Sequence, residues 1–194
     1  MQSVIVDKRI KVQDLYIGDR NAILIAARIT GYGEDYTTQV TCPACMNTSK
    51  YTFDLNNQII EKGGDDLEEI RWTNNGTFIT TLPHFGVDVE LRMLTGKDES
   101  YLTKLSQTKK GQKLAETSLT DQLKMTIVSV QARTDAATIN SLVDHLPASD
   151  ARHLRTIYAK AAPNVSLRQN FECSHCSFED VTEVPLNAEF FWPK

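Results

Sequence analysis

The sequence predicts an α+β fold in which two β-hairpin knuckles stand near the ends of the chain and an inserted β-hairpin plus a helical body lies between them. Three observations carry that expectation. The four cysteines form two Cys-x-x-Cys pairs, Cys42/Cys45 in "VTCPACMNTS" and Cys173/Cys176 in "FECSHCSFED", separated by residues 46–172. The stretches around both pairs are rich in strand-forming residues. Between them lie a segment of strict period two and several apolar stripes at helical spacing.

Taken in order, residues 8–18 read as a lead-in or short strand. Asp19 is a candidate N-cap for a helix over "RNAILIAARIT", with Ile23, Ala26, Ala27 and Thr30 as its inward stripe, broadened by Leu24 and Ile25, and Gly31 as its stop. "YTTQV" reads as a strand entering Cys42 and "KYTFDL" as the strand leaving after Cys45. "NNQIIEKGGDDLEEI" is polar and contains a Gly-Gly turn. "GTFITTL" and "GVDVELRML" read as a hairpin about Pro83 and Gly86. In the second of them Val87, Val89, Leu91 and Met93 alternate with Asp88, Glu90 and Arg92, so one face is buried. Thr95 and Asp98 have capping-box spacing before a helix over about 97–108, ended near Gly111. A second helix starts at Ser118 or Thr120, with Leu119, Leu123, Ile127 and Val130 inward. A third carries Ile139, Leu142, Val143 and Leu146 and stops before Pro147. The fourth is capped by Ser149, turns Ala151, Leu154, Ile157 or Tyr158, and Ala161 inward, and closes at Pro163. "NVSLRQNFEC" returns to period two and enters the second knuckle, and "FEDVTEVPL" leaves it.

Two hairpins tipped by Cys-x-x-Cys can face one another across a single ion. Zinc in structural sites takes four ligands tetrahedrally, and a set of four cysteines with paired x2 spacing is a common form. Cys42, Cys45, Cys173 and Cys176 are therefore the expected ligands of one structural Zn2+. The fold expected is a split zinc ribbon, formed by about 36–55 and 164–186, with residues 56–163 inserted, in a single domain spanning 1–194. Two readings compete. The pairs can be unrelated core thiols, or "CPAC" can be a redox motif of the thioredoxin kind. The second wants its first cysteine at a helix start, and "MNTSKYTFDL" does not read as a helix. His175, inside the second pair, can compete as a ligand or stand as a solvated tip. Four thiolates leave no open position for water or substrate, so the ion is expected to be structural and not catalytic.

The remaining chemistry is sparse. "TGKDES" lacks the glycine spacing of a phosphate loop, and no Gly-x-Ser-x-Gly or His-Glu-x-x-His occurs. His84, His145 and His153 have no ligand spacing. Asp65, Asp66, Glu68 and Glu69 read as a solvated acidic loop. No enzymatic activity and no small-molecule substrate are expected. The chain of 194 residues carries a formal charge of −4, and its densest basic run is "TKKGQK", so bulk attraction to nucleic acid is not expected. No signal-peptide pattern opens the sequence, and the longest apolar run, "AILIAA", is too short to span a bilayer. The expectation is a soluble protein made in a reducing cytoplasm. The ending "EFFWPK" places Phe190, Phe191 and Trp192 together. Such aromatics either dock on the chain's own body or anchor a partner. Partner binding is the reading carried forward for these three residues.

The ordered set "LYIGDRNAILIAARITGYGEDY", "VTCPAC", "LRMLTGKDE", "TDQLKMTIVSV", "LPASDARHLR", "CSHC" and "VPLNAEFFWP" resembles the baseplate hub protein family of T-even-type contractile-tailed phages, from about residue 14 to the end. The resemblance implies a structural or assembly protein of the tail baseplate, in the hub region, without enzymatic activity. Its implied partners are other baseplate and tail proteins, with a homo-oligomer in the baseplate as a further option. Its implied location is the host cytoplasm during assembly and then the virion tail. The alternative from a different class is a zinc-ribbon module that binds nucleic acid or a regulatory partner.

Overall fold

A computed structural model describes residues 2–61, 63–64, 68–111, 117–185 and 190. In chain order its main elements are α1 (Ile17–Tyr32), β1 (Asp35–Thr41), β2 (Thr48–Asp54), β3 (Ile59–Glu61), β4 (Arg71–Trp72), β5 (Thr77–Thr81), β6 (Asp88–Arg92), α2 (Gly96–Gly111), α3 (Ser118–Thr126), β7 (Ile127–Val130), α4 (Ala136–Asp144), α5 (Ala148–Ala161), β8 (Asn164–Ser166), β9 (Arg168–Glu172) and β10 (Glu179–Glu183). The fold is mixed α and β with small antiparallel sheets, as the sequence predicts. It divides into two compact units. The first comprises residues 1–6, 18–61 and 164–194, and the second residues 7–17 and 62–163.

The first unit holds three two-stranded sheets: β1 with β2, β9 with β10, and β3 with β8. Its core gathers Ile25 of α1, Tyr36, Phe53 and Leu55 of the first hairpin, Leu167, Val184 and Phe190. α1 differs from expectation at both ends and in its face. It begins at Ile17, so Asp19 lies in its first turn. It runs through Gly31 to Tyr32, and the left-handed stop is Gly33, whose φ is +85° and whose amide donates to the Ile29 carbonyl. The buried residues are Arg28 and Ile25, the latter part of the expected stripe; Ile23, Ala27 and Ile29 are half-buried, and the expected Ala26 and Thr30 are exposed. Arg28 accounts for the rotation. Its guanidinium donates to the carbonyls of Gly33 and Asp35 at 2.9 and 3.2 Å, and it lies over the rings of Tyr32, Tyr36 and Phe190. A cation that satisfies the carbonyls past the helix end is better placed inward than the small side chains at 26 and 27.

The second unit is built on the antiparallel sheet β4-β5-β6-β7. Phe78, Val89, Leu91, Ile127 and Val130 on the strands meet Leu123, Ile139, Val143, Leu154 and Ile157 on the helices. Val89, Leu91 and Met93 are buried as the period-two pattern requires. The helix expected to continue through Val130 instead ends at Thr126, and Ile127–Val130 pairs with β6. "TIVSV" is rich in β-branched residues, and the free edge of β6 offers backbone partners that a further helical turn lacks. The lead-in at 8–18 contributes a single-turn 3-10 helix at Val12–Asp14 and an isolated bridge from Tyr16 to Thr95 instead of a strand. Ser149 lies inside the first turn of α5, which begins after Pro147 and has no side-chain cap. Glu68 and Glu69 are exposed, and Asp65 and Asp66 lie outside the described residues.

The capping box at the start of α2 is formed. The Asp98 carboxylate accepts from the Thr95 amide and hydroxyl at 2.8 and 2.9 Å, and from both Arg92 terminal nitrogens at 2.8 and 2.9 Å. The Arg92 guanidinium, reinforced by Thr95, holds the carboxyl down at about 2. Because the folded value lies below the unfolded one, this contribution is complete above pH ~4 and is lost as pH falls towards 2. Asp98→Ala is expected to cost about 2 kcal/mol at pH 7. The deficit relative to the unsubstituted chain should shrink in denaturant titrations at pH 2.5. An equal deficit at both pH values would show that the carboxylate charge is not what matters.

Candidate metal centre

Both cysteine pairs sit in turns built by the same backbone pattern. In the first, the Cys42 amide donates to Asn47 O and the Met46 amide to Cys42 O, each at 2.9 Å. In the second, the Cys173 amide donates to Phe178 O and the Ser177 amide to Cys173 O, again at 2.9 Å. Met46 and Ser177, the fifth residue of each turn, have φ of 58° and 54°. This left-handed residue closes each turn directly after its second cysteine. Neither pair lies at a helix start, so the geometry of a thioredoxin-like site is not met.

The two hairpins are tied beneath their tips. The Tyr51 hydroxyl on β2 donates to Asn170 O on β9 at 3.0 Å, and the Gln169 side chain donates to Asp54 O at 2.6 Å. The Tyr51 ring packs edge-on to Phe171 at 5.1 Å. Cys42, Cys173 and Phe171 are buried over this floor. No pattern in the linear sequence joins Tyr51 to Asn170, because the link depends on how two distant hairpins face each other.

The result brings all four sulfurs within 4.8 Å of one another. The Cys42–Cys176 and Cys45–Cys173 separations, each across the two hairpins, are both 3.8 Å. An ion bound tetrahedrally with Zn–S bonds of about 2.3 Å sets its sulfurs about 3.8 Å apart along each edge. The donor set and its spacing therefore fit a metal ion of this kind. All four thiols are free. The ring of His175 is exposed, and the cluster is complete without it.

The thiols differ before any ion is considered. Amides of His175 and Cys176 point at the Cys173 sulfur and lower it to about 6. Against the pull of the Phe178 amide, burial and the neighbouring sulfurs of Cys45, Cys173 and Cys42 push Cys176 up to about 12. A bound divalent cation overrides this split, since a coordinating thiol is deprotonated outright.

A third turn in the second unit has the same backbone pattern. The Leu82 amide donates to Val87 O at 2.9 Å, the Gly86 amide donates to Leu82 O at 2.8 Å, and Gly86 has φ +65°. Leu82 and Phe85 stand where the cysteines stand in "CPACMN" and "CSHCSF". The amides that would point at the first sulfur, those of His84 and Phe85, donate instead to the Asp150 carboxylate of α5 at 2.8 and 3.2 Å. Asp150 is fully buried. A carboxylate thus takes the place of a thiolate as the anion under the turn. Asp150→Ala takes the acceptor from two amides and is expected to cost about 2 kcal/mol. Hydrogen exchange should then speed up at His84 and Phe85 specifically. Unchanged exchange at those amides would show that the carboxylate does not hold the turn.

Of the aromatic residues near the end of the sequence, Phe190 is fully buried in the first unit, its ring 5.0 Å from Tyr36 at an interplanar angle of 79°. It therefore docks on its own body, one of the two alternatives open to it. Phe191 and Trp192 lie outside the described residues. Among the described residues no helix is long and apolar enough to cross a membrane.

A family model described as "T4 bacteriophage base plate protein" matches residues 1–192. No curated protein and no solved structure matches.

Proposed function

We propose, from the premise that the chain belongs to the T4 bacteriophage base plate protein family, that it is a non-enzymatic structural or assembly subunit of the hub region, built on a split zinc ribbon. Family membership makes it a base plate protein and implies contact with other phage proteins. The observation that carries the finer reading is the sulfur cluster, in which Cys42–Cys176 and Cys45–Cys173 each stand 3.8 Å apart across the two hairpins. Cys42, Cys45, Cys173 and Cys176 would hold one Zn2+ and lock β1–β2 to β9–β10. Four thiolate ligands fill the coordination sphere, so the ion supplies a joint and no reactive position. Residues 56–163 would be the insertion that this joint carries. Phe191 and Trp192, following the internally anchored Phe190, would reach neighbouring subunits.

The test is infection with a phage carrying a null allele of this gene, complemented by the unsubstituted chain or by a Cys42→Ser/Cys173→Ser chain. The expected result is that base plates lacking the hub accumulate in the null, and that only the unsubstituted chain restores complete tails. Normal tails in the null infection would contradict an assembly role. Rescue by the doubly substituted chain would contradict the need for the metal joint.

A further inference from the structure

Between α3 and α5 in the second unit runs a groove of about 500 Å³. Its floor is apolar, with Leu91, Leu123 and Leu154 all buried, and Leu119 stands half-exposed on its α3 rim. Its α5 rim carries Arg152 and Arg155, three residues apart and so on one helix face. Among the described residues no carboxylate lines it. Several cations elsewhere in this unit meet acids, as in Arg92–Asp98, Arg71–Asp88, Lys109–Asp121 and Lys124–Asp144. Among the described residues the side chains of Arg152 and Arg155 have neither an ion pair nor a hydrogen bond. In a chain of net charge −4 this is a locally cationic strip above an apolar slot.

The geometry points to a docking site for a segment of another base plate subunit that carries an apolar side chain flanked by carboxylates. The volume accommodates one or two side chains of leucine or phenylalanine size. Guanidinium groups engage carboxylates bidentately, and arginine beside an apolar pocket is a frequent interface anchor. Exposed guanidinium groups fix which segment docks and in which register, while the leucine floor holds it. The inference rests on the reading that the chain works by contacting other tail proteins.

The experiment places the photo-crosslinking residue p-benzoylphenylalanine at Leu119 and irradiates infected cells, with and without the Arg152→Glu/Arg155→Glu double substitution. These arginines are exposed, so thermal melting should confirm an intact fold. The expected product joins position 119 to a peptide of one other base plate protein, with at least two carboxylates close to the crosslinked residue. Charge reversal should lower its yield by about tenfold or more, and exchanging the partner's carboxylates for lysines should restore it. A crosslink to a second copy of this chain, to nucleic acid or to a peptide without carboxylates overturns the inference. So does a yield indifferent to charge reversal, or no crosslink at all. These outcomes are separate from failure of the base plate reading, which the null infection alone decides.

Discussion

Cys173→Ser is expected to abolish metal retention and to release the tips of both hairpins while the helices of the second unit stay formed. Metal binding at finger-type sites amounts to an apparent ~10–16 kcal/mol, which becomes folding free energy where the site is not preformed. A two-stranded hairpin is marginal by itself in water, and β1–β2 and β9–β10 are separate two-stranded sheets. Their remaining ties beneath the tips are the Tyr51–Asn170 and Gln169–Asp54 bonds and the packing of Tyr51 on Phe171. Further down, the core of Ile25, Tyr36, Phe53, Leu55 and Leu167 does not depend on sulfur. The loosening should therefore be graded, fastest at Cys42–Thr48 and Cys173–Phe178 in hydrogen exchange and least at Phe53. The core of the second unit contains no cysteine, so helical circular dichroism should persist. Its complete loss would show that the second unit does not stand on its own core, and unchanged exchange at the tips would show that the ion is not a joint.

Phe190→Ala is expected to lower stability by about 3–5 kcal/mol, the usual cost of emptying a buried phenylalanine site. The ring is fully buried, meets Tyr36 edge-on and lies 5.9 Å from the Arg28 guanidinium. Its loss opens a cavity and also strips one aromatic neighbour from a buried cation. For a chain of this size the melting temperature should fall by roughly 10 °C. The Phe191→Ala/Trp192→Ala pair should behave differently, melting within a few degrees of the unsubstituted chain while failing to join its base plate partners. If Phe190→Ala melts normally, its ring does not belong to the core. If the Phe191/Trp192 pair melts as low as Phe190→Ala, the partner role of those two residues fails.

The elements that sequence made legible are those whose signal is local. The Cys-x-x-Cys turns, the alternation of Val87 to Met93, the Thr95–Asp98 capping box and the stripes of α4 and α5 each lie within a few residues. The illegible features depend on a distant partner. Ile127 and Val130 fit both a helical spacing and a buried strand, and only the waiting edge of β6 decides between them. Ile59 and Ile60 sit in a polar stretch, and they become a strand because residues 164–166 pair with them. Gly31 and Gly33 are both plausible helix stops, and the inward pull on Arg28 selects the later one. The shared turn of "LPHFGV" was hidden because its anion, Asp150, comes from a helix in another part of the chain.

Metal analysis of the purified full-length chain, with a parallel thiol titration before and after chelation, tests the central claim most directly. The account predicts one equivalent of zinc per chain, four thiols protected while it is bound, and all four reactive once it is removed. Less than a tenth of an equivalent of any transition metal, with four freely reactive thiols in the folded protein, would contradict it.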